Sequence, residues 1–244
     1  KHLIGEEWNK VVAEQIPVFS GAKDTTSHHL ACLKLIARVN DTHANLWGND
    51  KYLTQHYGSY YTPLQTKFIE DKLVVTGYYR DTAGLTPLFP KGTIITRINN
   101  TKVEDLVKSW LPETAASNYE TQLRDLPIKL LRGTTNKITH EINDDGQLKT
   151  LSLDRYETKA LNRRIDYDPA PEDSSYKLLP NNIGYIFPGK WKNNQLQGLK
   201  ELFKSTKGIV VDFRCYPSDF MPFTFGSYIK KSSSQFAQFS EGSV

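Results

Sequence analysis

The residues with the plainest chemical claim lie late in the chain, in Gly208-Ile-Val-Val-Asp-Phe-Arg-Cys-Tyr-Pro-Ser-Asp-Phe220. An apolar run gives way to Asp212 and Arg214 and then breaks at Pro217. Charged groups at the mouth of an apolar strand are where α/β proteins bind ligands and do chemistry. One reading makes Asp212 and Arg214 a structural ion pair or loop anchor; the other makes them the rim of a reaction centre. The turn Pro217-Ser218-Asp219 has two readings as well. Its N–H groups, at the start of a helix after a parallel strand, would stabilise an oxyanion. Alternatively, Ser218 or Asp219 simply caps that helix. One turn can do both.

Nucleophiles and bases are the next question. Ser218, Ser227 and Ser232 to Ser234 are candidates, with Lys230 and Lys231 nearby, but Gly226-Ser227 lacks the G-x-S-x-G context of a strained elbow. Solvated serines and lysines are the plainer reading of that stretch. Asp41 and His43 invite a catalytic or metal reading. Adjacent His28 and His29 point to different faces of a helix, and no H-x-x-x-H spacing occurs. No metal or other cofactor is expected. Asp41 and His43 are read as bonding loop backbone at a helix end, positioning a helical region on the core.

The elements that position these groups follow from periodicity. Trp8, Val11, Val12 and Ile16 have helical spacing before Pro17, and Leu30, Leu33, Ile36 and Ala37 repeat it after a cap at Ser27. Lys72 to Tyr79 and Gly92 to Ile98 read as strands, followed by an Asn99-Asn100 turn and a helix from Val103 to Trp110. A second helix is expected over Ala115 to Leu126, then a hairpin about Asp144-Asp145-Gly146. Tyr167 to Pro180 is polar and proline-rich, a linker or surface excursion. Beyond it, strands at Asn182–Phe187 and Gly208–Phe213 flank a helix from about Asn193 to Lys204, a parallel β-α-β unit. A further helix is expected to start at Ser218 or Asp219.

Composition narrows the function class. The 244 residues are 38% hydrophobic and 24% charged, which is ordinary for a globular protein. The formal charge of +4 comes from scattered basic residues without a basic, aromatic-laced stripe, so nucleic acid is not an expected partner. No apolar run reaches the ~20 residues of a spanning helix, and no secretory leader is visible at Lys1. Two cysteines, Cys32 and Cys215, read as free thiols.

Four blocks, in order, resemble the S41 family of serine peptidases, the C-terminal-processing and tricorn-core-like proteases. The helical opening leads to Asp41-Thr-His-Ala44, similar to the family's D-[ST]-H-[AT] motif. Gly84-Leu85, then Pro90-Lys-Gly-Thr-Ile-Ile-Thr-Arg-Ile-Asn-Asn100 and Val103, resemble the signature of its PDZ-like domain. Asn182-Ile-Gly-Tyr-Ile186 is similar to the strand that opens its protease core, and Gly208 to Arg214 to its next strand. Thr93 departs from the usual Asp, Thr86 to Phe89 look inserted, and Tyr216-Pro217-Ser218-Asp219 stands where N-x-G-G is usual. A branch of the family carries the Tyr-Pro-Ser form.

The resemblance implies a mixed α+β and α/β architecture: a helical region over 1–62, a PDZ-like domain over 63–160, a linker over 161–180, and over 181–244 the first part of a ClpP/crotonase-like core. It implies endopeptidase activity on a protein or peptide substrate, with a Ser nucleophile and a Lys base, or a Ser-His arrangement. Those residues are expected after Val244, so none in this chain is expected to be catalytic. Asp212, Arg214 and Pro217 to Asp219 would support the site. The PDZ-like segment would take an extended peptide by strand addition near Leu73, Val75, Gly84 and Leu85. An extracytoplasmic location is implied by the family alone. The rival expectation is a non-catalytic S41-fold protein that binds a peptide or hydrophobic ligand.

Overall fold

The computed structural model describes residues 5–47, 51–144, 146–163, 174–230, 232 and 235. Much of the linker stretch, with Asp145, Lys231, Ser233 and Ser234, lies outside them. The chain divides into two units, Lys1–Asn162 and Arg163–Val244, and helices and strands mix in both.

The first unit opens with α1 (Trp8–Ser20), α2 (Thr25–Ala37) and α3 (Lys51–Tyr57). Helix α1 runs past Pro17 instead of stopping before it. A proline one turn from a helix end costs a single i→i−4 bond, and its own carbonyl accepts the Gly21 N–H at 2.9 Å. The expected cap at Ser27 is corrected. Asp24 is the N-cap, its Oδ1 accepting the Ser27 N–H at 2.7 Å, while Ser27 Oγ accepts the Asp24 N–H at 3.1 Å. Ser27 is thus the far half of a reciprocal capping box.

An antiparallel sheet follows. Its strands are β2 (Leu64–Ile69), β3 (Lys72–Tyr78), β4 (Ile94–Ile98), β7 (Lys137–Asp144) and β8 (Gln147–Asp154), paired in that spatial order, with β5 (Thr101–Lys102) paired to β4. A smaller sheet joins β1 (Tyr60–Tyr61) to β6 (Arg132–Gly133) on one side and β9 (Tyr156–Glu157) on the other. The tight turns sit where the sequence has residues that tolerate left-handed backbone: Asn99 and Asn100 have φ of 46° and 65°, and Gly146 has 89°. A single turn, α4 (Thr82–Leu85), follows β3. Helix α5 (Val103–Trp110) has the expected bounds. Helix α6 (Tyr119–Leu130) starts four residues later than expected, because Asn118 caps it by accepting the Thr121 N–H at 2.8 Å. Val103, Val107, Leu123, Leu126 and Leu130 from these two helices join Leu73, Val75, Ile95, Ile138 and Ile142 from the sheet in one core.

In the second unit, β10 (Tyr176–Leu179) pairs antiparallel with β11 (Ile183–Ile186), which pairs parallel with β12 (Gly208–Val211) through α7 (Leu196–Leu202). The parallel pair and its helical crossover match expectation. Strand β10 lies inside the stretch read as linker; its Tyr-Lys-Leu-Leu run is short and flanked by polar residues, which hid it. Helix α7 is shorter than expected, since residues Asn193–Gln195 form a 3₁₀ turn before it. No helix begins at Ser218 or Asp219: the next one, α8, spans Phe225–Ile229. Trp191, Ile186, Leu199, Phe203, Met221 and Phe225 form this unit's core. No helix among the described residues is long and apolar enough to cross a membrane.

Candidate functional site

Strand β12 delivers Asp212 to the end of the parallel pair, where its N–H donates to Ile186 O at 2.9 Å. The Asp212 carboxylate is buried and ringed by donors. Arg214 gives Nε to Oδ1 at 2.8 Å, a terminal nitrogen to Oδ2 at 2.6 Å, and its backbone N–H to Oδ1 at 3.1 Å. The Tyr185 hydroxyl donates to Oδ2 at 2.8 Å from the neighbouring strand. The Arg214 bonds first, and that of Tyr185 after them, hold the carboxyl well below the usual carboxylate range despite its burial. Burial and the adjacent carboxylate push the Tyr185 hydroxyl up. A carboxylate so saturated is a poor proton acceptor and a good anchor: it fixes the strand end and ties Arg214 across it.

The Pro217-Ser218-Asp219 turn docks onto the loop between β11 and α7. The Ser218 N–H donates to Pro188 O at 3.0 Å, and its hydroxyl donates to Trp191 O. Asp219 accepts the Asn193 N–H at 3.0 Å and Lys192 Nζ at 3.2 Å. These bonds hold its carboxyl below the usual range, that from Asn193 foremost. Asn193 in turn accepts Trp191 Nε1 at 3.1 Å and donates to Phe220 O at 3.2 Å. The expectation of a helix cap here is corrected: Asp219 caps the turn that leads into α7, from 26 residues away, and caps no helix of its own. The Ser218 N–H is occupied by a protein carbonyl, and no helix N-terminus immediately follows to lend its dipole.

Around this turn the surface is aromatic. Phe213, Tyr216, Phe220 and Phe223 are 61%, 87%, 67% and 72% exposed, and the Phe220 and Phe223 rings lie 5.3 Å apart. Ser227 donates to Phe223 O and Thr224 O, both at 2.8 Å, and no base pairs with it in these contacts.

In the first unit, Asp41 Oδ1 accepts the His43 N–H at 2.8 Å and lies 3.2 Å from His43 Nδ1. Both side chains are largely exposed, so the motif closes its own loop. Among the described residues no group of three His, Cys, Asp or Glu side chains is placed to hold a metal ion. Leu73, Val75 and Leu85 are buried in the core. Strand β3 lies between β2 and β4, and Leu73 faces Phe68 on one side and Ile95 on the other. Gly84 sits in α4, its N–H donated to Asp81 Oδ1 at 3.3 Å.

Two constellations went unseen in the sequence because their members are far apart in it. An open cleft is lined by Tyr79, Arg80, Asp81, Tyr156, Ala160 and Asn162, with the Arg80 guanidinium 4.3 Å over the Tyr156 ring. Buried Glu113 accepts the Tyr57 hydroxyl at 3.2 Å and lies 3.5 Å from Lys34 Nζ and 3.8 Å from His56 Nε2. Beside it, Lys129 Nζ donates to Glu113 O at 2.8 Å, and burial brings its pKa down to about 8. This polar knot joins α2, α3 and α6.

No family model matches the chain, and no curated protein matches it. Among solved structures it is similar to a photosystem II D1 C-terminal processing protease, at 13% identity and a TM-score of 0.35. The likeness covers 86% of this chain and 55% of that one, so the chain spans about half that protein's length. It is too distant to assign an activity.

Proposed function

We propose that this chain belongs to a serine-type peptidase of the S41 kind, in which the described residues build the frame of the site. The nucleophile and base of that reading are residues other than those described. The observation that carries it is the parallel β11-α7-β12 unit ending in the Asp212–Arg214 anchor, preceded in order by a helical opening and an antiparallel β unit. Support for a core of the ClpP/crotonase-like kind comes from the same unit and from the Ile183-Gly-Tyr-Ile186 and Asp212-Phe-Arg214 motifs. Asp212 and Arg214 fix the strand end, Pro217 to Asp219 lock the rim to the loop before α7, and a protein or peptide is the substrate. Peptide engagement at the β unit and an extracytoplasmic setting belong to the same proposal. The test is hydrolysis of an unfolded protein by the intact protein, read by mass spectrometry. Cleavage abolished by a serine-directed covalent inhibitor supports the reading, and cleavage that resists the inhibitor, or none at all, counts against it.

The exposed Phe213, Tyr216, Phe220 and Phe223 favour a second reading, a non-catalytic protein of the same fold that holds a peptide or hydrophobic ligand. It requires an apolar dye to bind the folded, unreactive protein, with binding weakened in Phe220→Ala and Phe223→Ala.

A further inference from the structure

His140 is a buried base that the proposed chemistry does not use. It lies on β7 with no solvent exposure, and neither ring nitrogen has a hydrogen-bond partner in the structure. Leaving a buried polar group unpaired is costly, and charging it is far more so. Its cross-strand neighbours are apolar, Ile98 on β4 and Leu151 on β8. Above the sheet its ring meets Phe89 edge-on, with centroids 5.6 Å apart and planes at 80°.

The charges around it leave no counter-ion for a protonated ring. Arg155, just past β8, is the charged group whose field reaches the imidazole, and it opposes protonation. Its guanidinium is committed to the carbonyls of Leu131, Thr135 and Lys137. Arg97 and Glu141 alternate with Ile98 and His140 onto the opposite face and lie 3.5 Å from each other. Asp154 on β8 pairs with Lys137. On the segment that carries Phe89, Asp81 and Lys91 are exposed, as are Glu104 and Asp105 on α5.

The neighbours of His140 differ in how they are held. Strand β7 is paired along β4 on one side and along all of β8 on the other. The segment from Asp81 to Gly92 pairs in no strand: beyond its own turns it is held by the Tyr78 hydroxyl on Phe89 O at 2.7 Å, by the Gly92 N–H on Val75 O at 2.8 Å, and by the burial of Leu85 and Phe89 in the core. Its departure would break none of the strand pairing of β7.

We propose that His140 is an acid switch beneath Phe89, and that its protonation releases the Asp81–Gly92 segment from the β unit while the sheet stays paired. Burial brings the ring's pKa down to about 3 from an ordinary 6.5. The opened form therefore binds a proton that the closed form refuses in the window between those values. Opening is suppressed above pH 6.5 and rises as pH falls through it, about tenfold per pH unit.

The test is amide exchange of the whole chain at several pH values from 7 to 4.5, corrected for intrinsic rates. The Leu85, Phe89 and Gly92 amides are expected to open about fiftyfold more at pH 4.5 than at 6.5, with amides of β7 and β8 lagging behind them. In His140→Leu the pH dependence of that segment is lost. Should the variant not fold, the wild-type ring serves alone: its carbon and nitrogen shifts are expected to stay those of neutral imidazole in the closed form down to pH 4.5. Titration of the closed form near 6.5, a segment that opens only together with β7 and β8, or unchanged pH dependence in His140→Leu would each overturn the switch.

Discussion

At the scale of single residues, Asp212 is the group on which the candidate site depends. Its oxygens take bonds from Arg214 and Tyr185 while its side chain is shut away from water. Asp212→Asn keeps the shape but removes the charge that these donors are aimed at, and should cost about 1.5–3 kcal/mol, read as a lower urea midpoint for the second unit. The pH dependence has a definite sign. A folded pKa below the ordinary 3.8 means that the carboxylate stabilises the fold above about pH 4 and that this is lost as pH falls through the folded value. The variant should lack that part of the acid limb. Glu113 makes a parallel case in the first unit: Glu113→Ala leaves the Tyr57 hydroxyl and Lys34 without their shared acceptor. It should cost about 1–3 kcal/mol in chemical denaturation.

At the scale of elements, two joints carry the geometry. Gly58 has a φ of 91°, and a Cβ there would lie 1.9 Å from the Gly133 carbonyl carbon. Strand β1 begins two residues later and pairs with Gly133 itself, so Gly58→Ala forces the small sheet apart. Strain and clash together should cost about 3 kcal/mol or more, seen as a lowered thermal midpoint. Asn193 joins the Pro217–Asp219 turn to the start of α7. Asn193→Ala strands the Nε1–H of the fully buried Trp191 and frees Phe220 O, for a loss of about 1–3 kcal/mol. A red-shifted Trp191 emission would report it; an unchanged spectrum with unchanged stability would show that the joint is unimportant.

Local signals were legible in the sequence, and remote ones were not. The Asn99-Asn100 turn, α5 and the parallel β11-α7-β12 unit follow from periodicity and turn chemistry within a few residues. Ser27 is visible as a capping residue, but which half of the capping box it forms depends on Asp24 three positions earlier. Asp219 reads as a local cap because Asp is a good one. Its partner Asn193 is unreadable from spacing, and tertiary docking of the turn displaced the expected helix to Phe225. The burial of His140 follows from alternation along Lys137–Asp144, whereas its lack of partners is a property of what packs above it.

At the scale of the whole molecule, a helical and antiparallel unit, Lys1–Asn162, is followed along the chain by a second unit whose parallel strands end in a fixed ion pair. The central proposal is that the protein carrying this frame is a serine-type peptidase. The most direct measurement is mass-spectrometric mapping of a serine-directed covalent probe on the intact, folded protein. The expected result is one stoichiometrically modified serine, other than Ser218 and Ser227, with labelling suppressed by an excess of peptide substrate. A folded protein with no modified serine that binds an apolar dye at Phe220 and Phe223 would contradict it and establish the binding reading instead.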